Sequence, residues 1–193
     1  CQLVKLFKNG KPFKMSKRSG DFISANDLLK EVHKDSIRFM MLSRSNDVEL
    51  DFDFDKVKEK TKENSVFYVQ YAYARISSLL RNINKDLDDK IQLDINKFRL
   101  NEIEEKIIRK IFEWPKIIET SSKKLEPHKI PYYLYELSTL FHYYWSKGND
   151  DQEYKFIQDG KLKRNETLVI VQLTAIVLQR GMNILGVSLP NKM

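Results

Sequence analysis

Over 193 residues the chain carries 34 Lys and Arg against 27 Asp and Glu, a formal net charge of +7. Hydrophobic residues make up 41% of it and charged residues 32%, the balance of a folded globular chain and not of a wholly disordered one. A single cysteine excludes an internal disulfide and a thiolate-built zinc site, and the length suits one domain or one and a half.

Residues 2–7, the pair Asn9-Gly10 and residues 11–13 read as a β-hairpin, because Asn-Gly is the strongest short turn signal. Leu3 and Phe7 share one face with Lys5, while Val4 and Leu6 take the other. With apolar surface on both sides, the hairpin is expected to pack against something, as the closing edge of a larger domain. Ser24 then caps a helix over 25–32, with Asp27 in capping-box position. Lys34 or Asp35 opens a second helix through 43. Residues 48–54 alternate Glu49, Asp51 and Asp53 with Val48, Leu50, Phe52 and Phe54, which predicts a half-buried extended segment and a domain boundary.

From 55 onward the pattern is helical. Val66, Val69, Tyr73, Ile76, Leu80 and Ile83 recur at three- and four-residue steps along one face. A polar linker over 84–96 follows. Ile103, Ile107, Ile111, Trp114 and Ile118 form the next stripe, which Pro115 kinks or restarts. Pro131 begins a third helix carrying residues 132–145, and Gly148-Asn149-Asp150-Asp151 is expected to break it. Asn165 is the expected cap of a last helix over 166–185, stopped by Gly186. The expected fold is mainly α: a short β-hairpin and a basic loop first, then an all-α bundle of four helices, with domains at 1–53 and 54–193. The longest apolar run, over 168–178, is about half of the roughly twenty residues a membrane span needs, so it reads as a core helix and no membrane partner is expected. The opening Cys-Gln-Leu-Val-Lys does not read as a secretory signal, and a cytoplasmic location is expected.

Charge is unevenly placed. The first 20 residues hold six cations and no acid, whereas the other 173 hold 28 cations and 27 acids. Residues 161–193 hold five cations (Lys161, Lys163, Arg164, Arg180 and Lys192) against Glu166 alone. Positive ends with a slightly negative middle suit phosphate at two separated places. Within the first end lies Lys14-Met15-Ser16-Lys17-Arg18-Ser19-Gly20. By composition this is either a solvated basic turn or a loop that holds polyphosphate, where Lys supplies a compact charge and Arg a planar fork. Further on, Gln70, Tyr71 and Arg75 span barely more than one helical turn, with Tyr71 and Arg75 four apart on one face. An aromatic ring and a guanidinium so placed can stack on unpaired bases, or be core and surface neighbour. Tyr143, Tyr144 and Trp145 offer the same choice. His33, His128 and His142 are far apart, and no metal site, nucleophile motif or dinucleotide fingerprint is expected.

The order KMSKR resembles the second signature of class I aminoacyl-tRNA synthetases, a loop that closes over ATP. The string Val66-Phe67-Tyr68-Val69-Gln70-Tyr71-Ala72-Tyr73-Ala74-Arg75 resembles the one that opens the anticodon-binding domain of arginyl-tRNA synthetases. The ending Leu185-Gly186-Val187-Ser188-Leu189-Pro190-Asn191-Lys192-Met193 is similar to that of bacterial members. Two departures stand out: Ser65 where the family usually has Pro, and Tyr73 where it commonly has His. The resemblance implies ATP-dependent attachment of arginine to its tRNA, with ATP as substrate alongside Mg2+ and tRNA and arginine as partners. It implies that Lys17 meets the β- and γ-phosphates as the arginine carboxylate attacks, that Lys14 supports the same charge, and that Met15, Ser16 and Arg18 complete the ATP-binding loop. Gln70, Tyr71, Arg75, Lys161, Lys163, Arg164, Arg180 and Met193 are the expected tRNA contacts. The family's HIGH-like motif and arginine pocket do not occur in this sequence, so the chain is expected to be the C-terminal part of such an enzyme, inactive alone and a monomer. Two alternatives are a non-catalytic RNA-binding module and a class I synthetase for another amino acid.

Overall fold

The computed structural model describes residues 3–13, 24–92, 94 and 96–193. The basic loop, Lys14, Met15, Ser16, Lys17 and Arg18 included, lies outside the described residues. The expected hairpin is present as β1 (Val4–Lys8) and β2 (Lys11–Pro12), paired antiparallel. Asn9 and Gly10 turn it with φ of 53° and 69°, the doubly left-handed geometry that this dipeptide tolerates. Two helices follow, α1 (Ala25–Glu31) and α2 (Lys34–Leu42). Ser24 and Asp27 close the predicted capping box on α1. On α2 the cap is His33, whose Nδ1 accepts from the Asp35 N–H at 3.3 Å. β3 (Leu50–Asp53) then runs parallel to β1, giving the strand order β2-β1-β3. From Leu50 onward its alternation works as the sequence implied, with Leu50, Phe52 and Phe54 buried and Asp51 exposed, whereas Val48, ahead of the strand, is exposed like Glu49.

The helical part begins later than expected. Residues 55–64 hold only a short 3-10 turn (Lys56–Lys58), and Asn64 caps α3 (Ser65–Asn82) by accepting from the Phe67 N–H. Ser65, the departure from proline noted in the sequence, is the first residue of this helix. That position's N–H has no intrahelical partner, so either residue is accommodated. Val66, Val69, Tyr73, Ile76 and Leu80 are all buried. Tyr73 is therefore a core residue, and burial pushes its phenol above its ordinary pKa.

Beyond the irregular linker lie α4 (Glu102–Phe112) and α5 (Trp114–Lys124), and Pro115 in the first turn of α5 shows that it restarts the helix. α6 (Lys129–Asp150) starts before Pro131 and runs straight through the expected break at Gly148. Glycine is there for proximity: a Cβ on Gly148 would stand 2.8 Å from the Tyr154 carbonyl oxygen. A second hairpin, β4 (Ile157–Gln158) and β5 (Lys161–Leu162), turns at Asp159-Gly160 with φ of 50° and 73°. α7 (Asn165–Leu185) has Arg164, not Asn165, at its cap position, and Gly186 ends it in the left-handed conformation at φ 66°. The bundle is thus five helices, α3 to α7, with a small hairpin where only a connection was expected.

Two apolar clusters hold the fold. One comprises Leu6, Val32, Phe52, Phe54 and Val57, backed by Leu28, Ile37, Met40 and Met41. The other gathers residues of α3, α4, α6 and α7, and Phe39 of α2. α7 is long and apolar enough to cross a membrane, but 61% of its most apolar window is buried inside the bundle. Fully burying a Leu, Val or Ile side chain contributes roughly 1.5–3 kcal/mol, so this helix is a main source of stability. Its Gly181 lets α6 close in, since a Cβ there would lie 2.6 Å from a Leu134 methyl. After α7 the tail is tied down. Arg38 Nε donates to the Leu185 carbonyl, a cation at the negative end of a helix. Asp35 accepts from the Ser188 N–H at 3.2 Å and from its hydroxyl. Gln70 Nε2 donates to the Ser188 carbonyl at 2.9 Å, and Arg81 to that of Asn191 at 3.1 Å.

Candidate nucleic-acid interface

Four-residue spacing on α3 brings Phe67, Tyr71 and Arg75 into one row, and α6 faces them with Thr139, His142, Tyr143 and Ser146. Lys60, Thr61 and Lys62, from the irregular segment before α3, close one end. Together they line an open cleft of about 490 Å3. Its wall is a continuous set of π surfaces. Phe67 stacks on Tyr71 at 5.7 Å, Tyr71 on His142 at 5.6 Å, and Tyr68 lies 4.2 Å from His142 and 5.2 Å from Tyr135.

Arg75 is the organising cation. Its guanidinium carbon sits 4.2 Å from the Tyr71 ring centroid and 5.4 Å from that of Trp145. Nη2 donates to the Tyr71 hydroxyl at 3.1 Å, and Nη1 contacts His142 Nδ1 at 2.9 Å. On its other side His142 Nε2 lies 3.0 Å from the Tyr68 carbonyl. A carbonyl can only accept, so Nε2 carries the proton and Nδ1 accepts from Arg75. Burial, with Arg75 beside it, lowers the His142 pKa to about 4 and keeps the ring neutral. No acid pairs with Arg75 among the described residues. Two hydrogen bonds and two flanking rings hold the guanidinium in place, yet three of its five N–H groups and its full charge remain available.

The other expected contacts separate. Gln70 is occupied in holding the tail. Arg164 is half-buried and donates to Glu104 Oε2 at 3.2 Å and to the Arg99 carbonyl. Lys163 donates to the Gln152 and Glu153 carbonyls at 2.8 and 3.2 Å. Lys161 is exposed and borders a second hollow with Lys85 and Lys90. Arg180 is exposed on α7, about 24 Å along the helix from Arg164. Met193 is 54% exposed at the end of the tail. Of the aromatic trio only Tyr143 fronts the cleft. Tyr144 is core, its hydroxyl donating to Glu104 at 2.6 Å, and Trp145 is half-buried against Phe141 and Phe156. Sequence reasoning missed His142, Phe67, Tyr68, Lys60 and Lys62 as cleft residues. The first of these had a signal: His142, Tyr143 and Ser146 recur at three- and four-residue steps on one helix.

Residues 69–193 match the DALR anticodon binding domain family. The chain is 54% identical over 192 residues to the arginine–tRNA ligase of Pelagibacter ubique, with all of this chain covered and 33% of that protein. Against the arginine–tRNA ligase of Ruegeria pomeroyi it is 47% identical, covering 97% and 33% respectively. The chain thus spans about a third of the length of the curated relatives it matches. A solved structure from Campylobacter jejuni superposes with a TM-score of 0.84 at 28% identity, covering all of this chain and 40% of the other. The Thermus thermophilus arginyl-tRNA synthetase shares the fold with a TM-score of 0.64 at 18% identity, covering 98% of this chain and 34% of that one.

Proposed function

The chain belongs to the DALR anticodon binding domain family, and from that premise we propose that its α3–α6 cleft takes unpaired anticodon-loop bases of an arginine tRNA. The carrying observation is Arg75, its guanidinium carbon 4.2 Å from the Tyr71 ring centroid and bonded to the Tyr71 hydroxyl and His142, with no acid paired to it among the described residues. Unpaired bases stack on aromatic rings and on guanidinium planes, and hydrogen-bond along their edges. The free N–H groups of Arg75 suit a base edge or a phosphate, and Lys60 and Lys62 at the rim suit the backbone. Lys161, Lys163, Arg180 and Met193 are further proposed contacts, and they supply the salt-dependent part of the affinity.

On this reading the chain works within an arginine–tRNA ligase that attaches arginine to tRNA using ATP. The similarity of its whole length to arginine–tRNA ligases favours arginine over another amino acid. Residues 1–53 belong with the catalytic part and 54–193 form the tRNA-binding unit, acting as a monomer in the cytoplasm. Lys14 and Lys17 are the proposed partners of the ATP phosphates, with Met15, Ser16 and Arg18 beside them and Mg2+ accompanying the nucleotide. The KMSKR sequence supports that part. The test is a titration of the chain with the anticodon stem-loop of an arginine tRNA. Tyr71→Ala should weaken binding by about fivefold to a hundredfold, the range one base stack provides. Equal affinity in the two chains would overturn the assignment of the cleft.

A further inference from the structure

The row that starts with Tyr71 and Arg75 does not end there. Continuing at helical spacing, α3 presents Leu79 and Asn82, and α6 continues from His142 through Trp145 to Gly148 and Asn149. Tyr68 meets His142, Arg75 meets Trp145, and Leu79 with Asn82 meets Gly148 with Asn149, so the two helices run in the same sense along one groove. At its far end lies a second cavity of about 290 Å3, lined by Leu79, Asn82, Trp145, Asn149, Lys155 and Phe156 among others. Trp145 and Phe156 meet edge to face at 5.5 Å there. The Arg75–Trp145 contact is the partition: Arg75 lines the first cavity and Trp145 the second.

We propose that this second cavity is a subsite for the base neighbouring the one on Tyr71, so that the groove splays two consecutive nucleotides on either side of the Arg75–Trp145 pair. The proposal rests on the reading of the first cleft as a base site. Its chemistry fits a single planar heterocycle. Apolar walls from Leu79, Trp145 and Phe156 cover the faces, and the size lies at the low end of small-molecule sites. Asn82 and Asn149 make no side-chain hydrogen bond among the described residues, and each amide offers both donors and an acceptor, the pairing a base edge requires. Lys155 is exposed beside them and meets the phosphate between the two nucleotides. Asn82 and Asn149 are exposed, so neither contributes to the core that holds the helices together.

The test uses the anticodon stem-loop with an abasic nucleotide placed at each loop position in turn, titrated against the full chain and two variants. Two adjacent positions should each cost about fivefold or more in affinity. Asn149→Leu should abolish the penalty at one of them and keep it at the other, and Tyr71→Ala should do the reverse. Asn82→Ala serves as a second, conservative variant of the far cavity and should halve the discrimination there at least. A penalty at a single position, removed by Tyr71→Ala and untouched by Asn149→Leu, overturns the second subsite and leaves the first intact. Binding that ignores abasic sites at every position overturns both.

Discussion

Two arginines of the bundle, Arg164 and Arg75, are used in opposite ways. Arg164 joins a carboxylate, Glu104, that is fully buried. Glu104 also accepts from the Tyr144 hydroxyl at 2.6 Å, the Thr167 hydroxyl at 3.1 Å and the Asn101 N–H at 2.9 Å. Four donors on one carboxylate tie α4, α6 and α7 together and leave nothing for a ligand. Burial, with that carboxylate beside it, pushes the Tyr144 phenol well above its ordinary pKa. Arg75 has instead a neutral imidazole and a phenol as partners, in a cleft open to water. A buried charge demands a counter-charge, whereas a half-exposed cation can be oriented by neutral groups and keep its field. Stability is concentrated at the first arginine, and on the proposed reading recognition falls to the second.

The comparison breaks most visibly at Glu104. Glu104→Ala leaves Arg164, Tyr144 and Thr167 without their acceptor, and loss of one partner of a buried ion pair costs about 3–5 kcal/mol. Chemical denaturation should show a loss of that order, and a change under about 1 kcal/mol would refute the node. Next comes an exchange of roles between the arginines. Arg164→Ala should cost about 1–3 kcal/mol by leaving a buried acceptor under-satisfied, and should weaken stem-loop binding less than Arg75→Ala does. Arg75→Ala should weaken binding about tenfold or more while the thermal midpoint moves little. Equal effects of both variants on both readouts would erase the distinction.

A smaller effect concerns pH. His142 is held neutral, with its pKa lowered to about 4 from 6.5. The unfolded chain therefore binds a proton that the folded chain refuses, so stability falls as pH drops from about 6.5 toward about 4. Denaturation midpoints across that window should decline in the wild type, and the decline should be shallower in His142→Gln. An identical pH profile in both would show that the imidazole is not held neutral.

Much of this architecture was legible in residues that act locally. Asn9-Gly10, the Ser24–Asp27 box, the α3 stripe and Gly186 each determine their own turn or helix end, and each stands where the spacing put it. What escaped depends on distant partners. Gly148 reads as a breaker until Tyr154 is seen to press on the helix there. Helical spacing puts His142 on a face with Tyr143 and Ser146 but does not name its partners, because Arg75 and Tyr68 are 67 and 74 residues away. Arg164 reads as a free cation until Glu104 folds onto it from 60 residues away. The Asp159-Gly160 turn was a real signal, but strands of two residues give no alternation to accompany it.

Occupancy of the cleft can be observed without inference from affinity. The chain has two tryptophans, so a Trp114→Phe variant leaves Trp145 as the only indole, beside the Arg75 guanidinium. Titrating that variant with the anticodon stem-loop should change Trp145 emission saturably, with a midpoint that moves about tenfold or more to weaker binding when Arg75→Ala is added. Stem-loop binding that leaves Trp145 emission unchanged would contradict the account, because the RNA would then be held somewhere other than the groove between α3 and α6.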